Sequence, residues 1–274
     1  MNARLSNRGD VDPFYAMELL KLANHKRQTG MKVISLCLGQ PADGAPTAVR
    51  QAAIAALGSD AQLGYTDANG LPSLRAAIGA HYASDHGVDV EPTRVLVTTG
   101  SSAAFTAIIL AAFDAGDAVA MARPGYPAYR NVLDALGCQV IDLDCGPQTR
   151  FQPSVEMLDA LPAAPAGLIV ASPSNPTGTI IEPERLAAIA DWCTEHGTLL
   201  ISDEIYHGIS FGRPTASVLQ NSPDHVAVGS FSKYYCMTGW RVGWLVVPDA
   251  LARRVELLLG NLNLSTPTLS QLAA

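Results

Sequence analysis

The sequence predicts an α/β fold in which a mostly parallel, mixed sheet is covered by helices on both faces. Seven short aliphatic runs alternate with amphipathic stretches, which is the pattern of strands joined by crossover helices. The composition agrees: 48% of the 274 residues are hydrophobic, 16% are charged and 23 are glycine, as is typical of buried parallel strands. This length allows one large domain with an ample core.

The first predicted element is an amphipathic N-terminal helix. Asp12 and Pro13 form an N-cap and first-turn pair, Phe14 and Met17 begin an apolar stripe, and Gly30 supplies the stop. Seven predicted strands follow, over residues 95–98, 118–122, 139–143, 167–171, 198–202, 226–229 and 242–247.

The direction of the last strand follows from the connection before it. The segment between Gly229 and Val242 is too short for a crossover helix, since parallel connections need about a dozen residues or more. We therefore expect the seventh strand to run antiparallel to the others, which makes the sheet mixed.

Charge and cysteine content exclude some classes of partner. The net charge of -7 and the absence of clustered basic residues argue against a nucleic-acid backbone. The five cysteines are scattered, without a Cys-x-x-Cys pair, so we expect free thiols and no metal site. Residues 1–12 lack an apolar signal core, and the run 103–113 is too short to cross a bilayer. We expect a cytoplasmic protein with a small-molecule partner and no membrane partner.

The most informative motif is Ser230-Phe231-Ser232-Lys233, with Arg241 eight residues after the lysine. A lone lysine is normally a solvated surface residue. Here aromatic neighbours and a guanidinium disfavour the ammonium form, which raises the fraction of nucleophilic amine. The amine can hold an aldehyde as a Schiff base, while the guanidinium and hydroxyls grip a phosphate on the same molecule. Pyridoxal phosphate is such a molecule.

Two further motifs carry groups suited to the ring of that cofactor. Asp203 ends an apolar run; it is either a strand-terminal carboxylate or the partner that keeps a pyridine nitrogen protonated, so that the ring accepts electrons. Tyr206 could reach the ring's phenolic oxygen. Asn175 lies in the run Ser172–Gly178, which is a turn by composition, but it could also donate to the same oxygen. The cis or trans state of the Asn175–Pro176 bond stays open.

The remaining groups are weaker signals. Ser101 and Ser102 lie where a strand passes into a helix, so their backbone N–H groups could bind a phosphate or simply begin an ordinary helix. Tyr126 follows another strand and could stack on a ring or belong to the core. The groups named here follow the C-terminal ends of strands, where open α/β sheets bind ligands. We expect them to converge on one rim.

Three motifs occur in order and are highly specific together: Ser172–Gly178, Asp203–Tyr206 and Ser230–Arg241. With them the chain resembles the class I/II aminotransferases of the fold type I pyridoxal-phosphate enzymes, from about Leu36 onward. The resemblance implies a PLP-transferase large domain, an incomplete small domain and pyridoxal 5'-phosphate as cofactor. It also implies transfer of an amino group between an amino acid and a 2-oxo acid.

The resemblance implies a role for each candidate residue. Lys233 would carry the cofactor and move the catalytic proton, and Asp203 would hold the pyridine nitrogen. Tyr206 and Asn175 would bind the phenolic oxygen, and Asn175 with Gly39 would line the substrate pocket. Ring and phosphate contacts are implied for Ser101, Ser102, Ala103, Tyr126, Ser230 and Arg241.

The resemblance also predicts the domain organisation. Residues 1–35 are expected to form an N-terminal arm and helix belonging to the small domain. Residues 36–274 would form the PLP-binding large domain, ending in an interdomain helix that Thr266 and Pro267 begin as N-cap and first residue. The family's C-terminal part, which carries the arginine for the substrate carboxylate, has no counterpart here, so we expect weak or absent transamination. A homodimer is implied, in which Tyr65 reaches the neighbouring site.

Two alternatives stay open. The same cofactor site could serve a carbon–sulfur β-lyase, because elimination starts from the same carbanion. The chain could also be a catalytically inactive cofactor-binding fragment. The sequence does not identify the amino acid substrate.

Overall fold

The computed structural model describes residues 4–60 and 62–274. Residues 1–3 of the predicted N-terminal arm lie outside the described residues. All seven predicted strands are present, with ends that differ from the prediction by at most one residue. The strands are β1 (Val95–Thr98), β2 (Ala118–Arg123), β3 (Gln139–Asp144), β4 (Gly167–Ala171), β5 (Leu199–Asp203), β6 (Val226–Ser230) and β7 (Gly243–Val246).

These strands form one sheet in the order β1-β7-β6-β5-β4-β2-β3. β7 pairs antiparallel with both of its neighbours. Its Val246 lies opposite Val95 of β1, and its Trp244 lies opposite Gly229 of β6. The pairs among β2 to β6 are parallel. The predicted reversal of the last strand is confirmed, and it places the lysine segment at the turn from β6 into β7.

The helices cover both faces of the sheet. They are α1 (Tyr15–Gln28), α2 (Thr47–Leu57), α3 (Pro72–His86), α4 (Gly100–Ala112), α5 (Pro127–Leu136), α6 (Val155–Asp159), α7 (Pro183–Glu195), α8 (Asp249–Leu262) and α9 (Thr268–Ala273). Side chains of α3, α6 and α7 pack in the core on one face. Those of α4, α5 and α8 pack in the core on the other. Proline begins α3, α5 and α7, where its missing N–H removes no helical hydrogen bond.

Alternation along β5 sends neighbouring side chains to opposite faces. Leu200 packs in the core beneath α3 and α7, and Ile201 packs in the core beneath α4 and α5. Because side chains in a strand alternate with a period of two, Asp203 continues the face of Ile201. Glu204 then follows on the face of Leu200.

Two predicted helix starts are wrong by one or a few residues. α1 begins at Tyr15 with Phe14 as N-cap, not at Asp12 and Pro13. The carbonyl of Asp12 accepts a hydrogen bond from Asn131, and the Phe14 ring packs edge-on against Tyr126. Tertiary contacts therefore hold the residues that precede the helix. The predicted end of the helix at Gly30 agrees with the structure, since Gly30 has a left-handed φ of 82°.

The last helix is displaced in the same way. α9 begins at Thr268 with Pro267 as N-cap, whereas the sequence predicts Pro267 as its first residue. The hydroxyl of Thr266 donates to the carbonyl of Val97 in β1, which ties this side chain to the sheet, and α9 has no side-chain cap. Within residues 4–60 and 62–274, no helix combines the length and apolar character needed to cross a bilayer.

Candidate active site

Four strands end at one edge of the sheet, and each end carries predicted groups. Ser101 lies in the first turn of α4 after β1, and Asn175 follows β4. Asp203 ends β5, and Lys233 follows β6. The charges of Asp203 and Arg241 both affect the pKa of Lys233 and the pKa of Tyr126. These four groups therefore lie near one another in one site. The structure therefore brings most of the predicted residues together on this rim.

Asp203 supplies a buried carboxylate at the base of the site. Its side chain is only 3% exposed, and Oδ1 accepts a hydrogen bond from the backbone N–H of Ile205 at 3.2 Å. Oδ2 accepts a hydrogen bond from the hydroxyl of Tyr129. Burial raises the pKa of Asp203 to about 6, against the opposing effect of those two bonds. A cation placed against this carboxylate would stabilise its charged form.

Tyr206 and Asn175 form a pair beside this carboxylate. A side-chain hydrogen bond joins them, and it partly offsets the rise in the pKa of Tyr206 that burial and Asp203 cause. The phenol therefore stays protonated near neutral pH and can donate a hydrogen bond. The Asn175–Pro176 peptide, left open by the sequence, is cis.

The Lys233 amine lies between these groups and the N-terminal segment. Nζ donates to the carbonyl of Gly39 at 2.6 Å and lies 5.7 Å from the centroid of the Tyr206 ring. Burial lowers the pKa of Lys233, the charge of Arg241 lowers it further, and Asp203 opposes both. The predicted bias toward the neutral, nucleophilic amine is present.

A second group of donors lies at the N-terminus of α4. The guanidinium of Arg241 packs directly over Gly100, so a Cβ at that position would collide with Nη2. Gly100 also has a φ of 74°, in the left-handed region that favours glycine. The buried hydroxyl of Ser230 donates to that of Ser232 at 2.9 Å. The free N–H groups of the helix, the guanidinium and the hydroxyls together form a cradle for an anion.

Tyr129 is a site residue that the sequence analysis missed. It is buried, donates to Asp203, and packs its ring 4.8 Å from that of Phe105 and 5.2 Å from that of Tyr126. Its position three residues after Tyr126 places both on one side of a helical turn. That spacing could have indicated Tyr129 as a neighbour of Tyr126. Its contact with Asp203 could not be predicted, because the two residues are far apart in the chain.

Three predicted residues lie at the margin or away from the rim. Tyr65 is 83% exposed on the segment between α2 and α3. Ser102 is exposed and Ala103 half-buried on α4, so within this chain they flank the anion cradle.

With the site described, comparison with known proteins identifies the family. The sequence model of the family described as aminotransferase class I and II matches residues 31–274. The chain belongs to this family. Its mixed, mostly parallel sheet is that of the fold type I pyridoxal-phosphate enzymes, as the resemblance implied.

Individual relatives agree with this membership. The chain is 53% identical to a valine–pyruvate aminotransferase of Mycobacterium tuberculosis, over 100% of this chain and 71% of the relative. It is similar to a crystal structure of an aminotransferase from the same organism, with a TM-score of 0.96, 52% identity, and 100% and 71% coverage of the two chains. An aspartate aminotransferase from Thermus thermophilus with maleate gives a TM-score of 0.95 at 29% identity, covering 99% of this chain and 72% of that one.

Proposed function

We propose that this protein is a pyridoxal-phosphate-dependent aminotransferase that moves an amino group between an amino acid and a 2-oxo acid. The observation that carries the proposal is the Lys233 amine, whose pKa is lowered and which lies near both Asp203 and Arg241. The buried carboxylate would match a basic ring nitrogen, the amine an aldehyde, and the anion cradle a phosphate. Pyridoxal phosphate carries all three groups.

The residues present fit pyridoxal phosphate. Asp203 is buried with a raised pKa and would gain from a cationic partner such as a protonated pyridine nitrogen. The cradle of Gly100, Ser101, Ser230 and Arg241 supplies the donors that a phosphate requires. When bound, the cofactor supplies an aldehyde that condenses with amines and a ring that accepts the electron pair of a substrate carbanion.

Each of the protein's own groups would have a separate role. Asp203 would hold a ring nitrogen in its protonated state, and the Tyr206–Asn175 pair would donate to the phenolic oxygen. Tyr126, half-buried at the N-terminus of α5, would cover a face of the ring. Lys233 Nζ would be the base that takes the proton from the substrate Cα. Gly39, whose carbonyl accepts a hydrogen bond from that amine, would line the substrate side.

The test of the cofactor assignment is chemical. Purified protein mixed with pyridoxal phosphate should turn yellow, and borohydride should fix the cofactor on the peptide that contains Lys233. Lys233→Ala should abolish the covalent adduct, whereas Lys26→Ala on α1 should leave it unchanged. A cofactor fixed elsewhere, or retained covalently by Lys233→Ala, would contradict the assignment.

Valine and pyruvate are the substrate pair to test first, because a relative 53% identical is named for them. We infer valine as amino donor and pyruvate as acceptor. A β-lyase is not favoured, since the relatives found are named for transamination. Keto-acid release that depends on an added acceptor supports the transaminase. Release without an acceptor would support elimination instead.

We also infer a homodimer in which Tyr65 reaches the partner's site, because its ring is largely exposed in a single chain. Lys233→Ala and Tyr65→Ala can be mixed to form hybrid dimers. If Tyr65 acts across the interface, each hybrid has one intact site, so activity should return on mixing. Absence of recovery in confirmed hybrids would show that Tyr65 acts within its own chain or not at all.

A further inference from the structure

A cavity of about 360 Å³ adjoins the candidate active site. It is enclosed by α3, by the segment after β5 and by part of the lysine segment. Asp203, Asn175 and Lys233 do not line it, whereas Ser230 of the anion cradle does. Its wall includes His81, Tyr82, His86, Glu204, His207 and Trp244. The volume is sufficient for a small molecule.

Glu204 is the main polar group of this cavity. It is 4% exposed, and its Oε1 accepts hydrogen bonds from Val218 N at 2.9 Å and Ser217 Oγ at 3.0 Å. Among the described residues, its Oε2 has no hydrogen-bond partner of good geometry, although the hydroxyls of Tyr82 and Ser202 lie near the carboxyl group. A buried carboxylate oxygen without a partner is costly. It would gain from a ligand that donates a hydrogen bond.

The imidazoles beside Glu204 do not supply a compensating charge. His207 Nδ1 lies 3.8 Å from Glu204 Oε2 and 3.4 Å from His86 Nε2. Burial lowers the pKa of His207 to about 4 and also lowers the pKa of His86. Both rings are therefore neutral near pH 7.

The rest of the lining favours an organic cation. No lysine or arginine is among the lining residues, whereas Asp85 adds a second carboxylate. Tyr82, Trp244 and Tyr235 contribute aromatic rings to the lining, and aromatic rings attract cations. No group of three or more potential ligands in the described part of the chain could hold a metal ion, which argues against a metal as the occupant.

We propose that this cavity is a second binding site, for a small organic ammonium ion with an apolar body. Its N–H would donate to Glu204 Oε2, and its apolar part would lie against the aromatic wall. An amino acid is a poorer fit, since the lining offers no cation for its carboxylate.

The proposal is tested with N,N-dimethylbenzylamine, which is protonated near neutral pH and, as a tertiary amine, forms no Schiff base. Calorimetric titration of the holoprotein at pH 8, above the pKa of about 7 that burial gives Glu204, should show one site per chain. The neutral benzyl alcohol and the anionic phenylacetate should each bind at least about tenfold more weakly, because neither satisfies the carboxylate charge. Equal binding of all three probes, or no binding of the amine at millimolar concentration, overturns the proposal.

Two variants locate the binding. Glu204→Gln keeps an oxygen for Val218 and Ser217 but removes the charge, and should weaken amine binding about tenfold or more. Glu184→Gln, the same change on an exposed part of α7, should have no effect. If Glu204→Gln fails to fold, Ser210→Trp decides: this lining residue makes none of the hydrogen bonds that hold the Glu204 carboxylate, and the larger ring should block binding. Wild-type affinity in a folded variant of either kind contradicts the site.

This outcome is separable from the proposed function. Lys233→Ala removes the covalent anchor of the cofactor but leaves the lining unchanged, so its amine affinity should equal that of the wild type. An amine that binds the apoprotein but is displaced by pyridoxal phosphate would be occupying the cofactor site, and that result would refute the second site.

Discussion

At the residue scale, two adjacent carboxyl groups, those of Asp203 and Glu204, have different surroundings. Burial raises the pKa of Asp203 to about 6 and that of Glu204 to about 7. Strand alternation turns Asp203 toward Tyr129 and the active site, and Glu204 toward the cavity beneath α3. The motif Asp203–Tyr206 predicts the first role, but nothing in the local sequence predicts the second.

Tyr129→Phe tests the support of Asp203. The change removes the hydroxyl that donates to Oδ2. Because this bond lowers the pKa of Asp203, its loss should leave the carboxyl more protonated and weaken cofactor affinity about tenfold. Titration of the apoprotein with pyridoxal phosphate measures the effect. Tyr15→Phe, on the exposed side of α1, is the control; equal affinity of the two variants would show that the bond is dispensable.

Gly100→Ala tests the anion cradle. An added Cβ would meet the Arg241 guanidinium and would also strain a backbone with φ of 74°. We expect the guanidinium to be displaced and cofactor affinity to fall more than about tenfold. Gly87→Ala separates the two causes, since Gly87 has φ of 65° but open space around its Cα. That control should lose about 1 kcal/mol of stability and retain cofactor affinity; a similar loss of affinity in both variants would point to backbone strain alone.

At the scale of elements, short helices stabilise segments that carry function. α9 has only six residues and would barely form alone in water, but it packs against α2. Its buried Gln271 accepts from Leu71 N at 2.8 Å and donates to Thr66 Oγ1 at 3.1 Å and Thr266 O at 2.7 Å. One side chain thus fixes the segment that carries Tyr65.

Gln271→Leu tests this attachment. The substitution keeps the apolar part of the side chain and removes all three hydrogen bonds, so that Leu71 N and the buried carbonyl of Thr266 lose these partners. We expect a loss of about 1 to 3 kcal/mol and faster hydrogen exchange at residues 64–71. Leu272→Ala, at a half-exposed neighbour on α9, should not change that exchange. Unchanged exchange in a folded Gln271→Leu protein would assign the ordering of the segment to other contacts.

At the scale of the whole molecule, buried carboxyls couple stability to pH. Glu204 has an ordinary pKa of 4.5 and a folded-state pKa of about 7, so the folded protein retains the proton more strongly. Its contribution to stability is complete below pH 4.5 and is lost as the pH rises through 7. His207 acts in the opposite direction, because its folded-state pKa is lowered from 6.5 to about 4. Its contribution is lost as the pH falls through 4.

Glu204→Gln isolates the first of these effects. Relative to the variant, the wild type should lose about 3 kcal/mol of unfolding free energy between pH 4.5 and pH 8. Urea denaturation of the two apoproteins at several pH values measures the difference. Glu184→Gln on exposed α7 should follow the wild type. Parallel pH curves for Glu204→Gln and wild type would mean that the buried carboxyl is not titrating in this range.

The sequence by itself determined the strands, the reversal of β7 and the edge of the sheet at which the candidate residues lie. Aliphatic runs report burial directly, the short segment between Gly229 and Val242 excludes a crossover, and strand ends converge wherever strands are parallel. Only the tertiary structure decided the bond from Tyr129 to Asp203, the cavity around Glu204 and the true starts of α1 and α9. Each of these depends on contacts between residues far apart in the chain, and such contacts exist only once both helical layers have packed on the sheet.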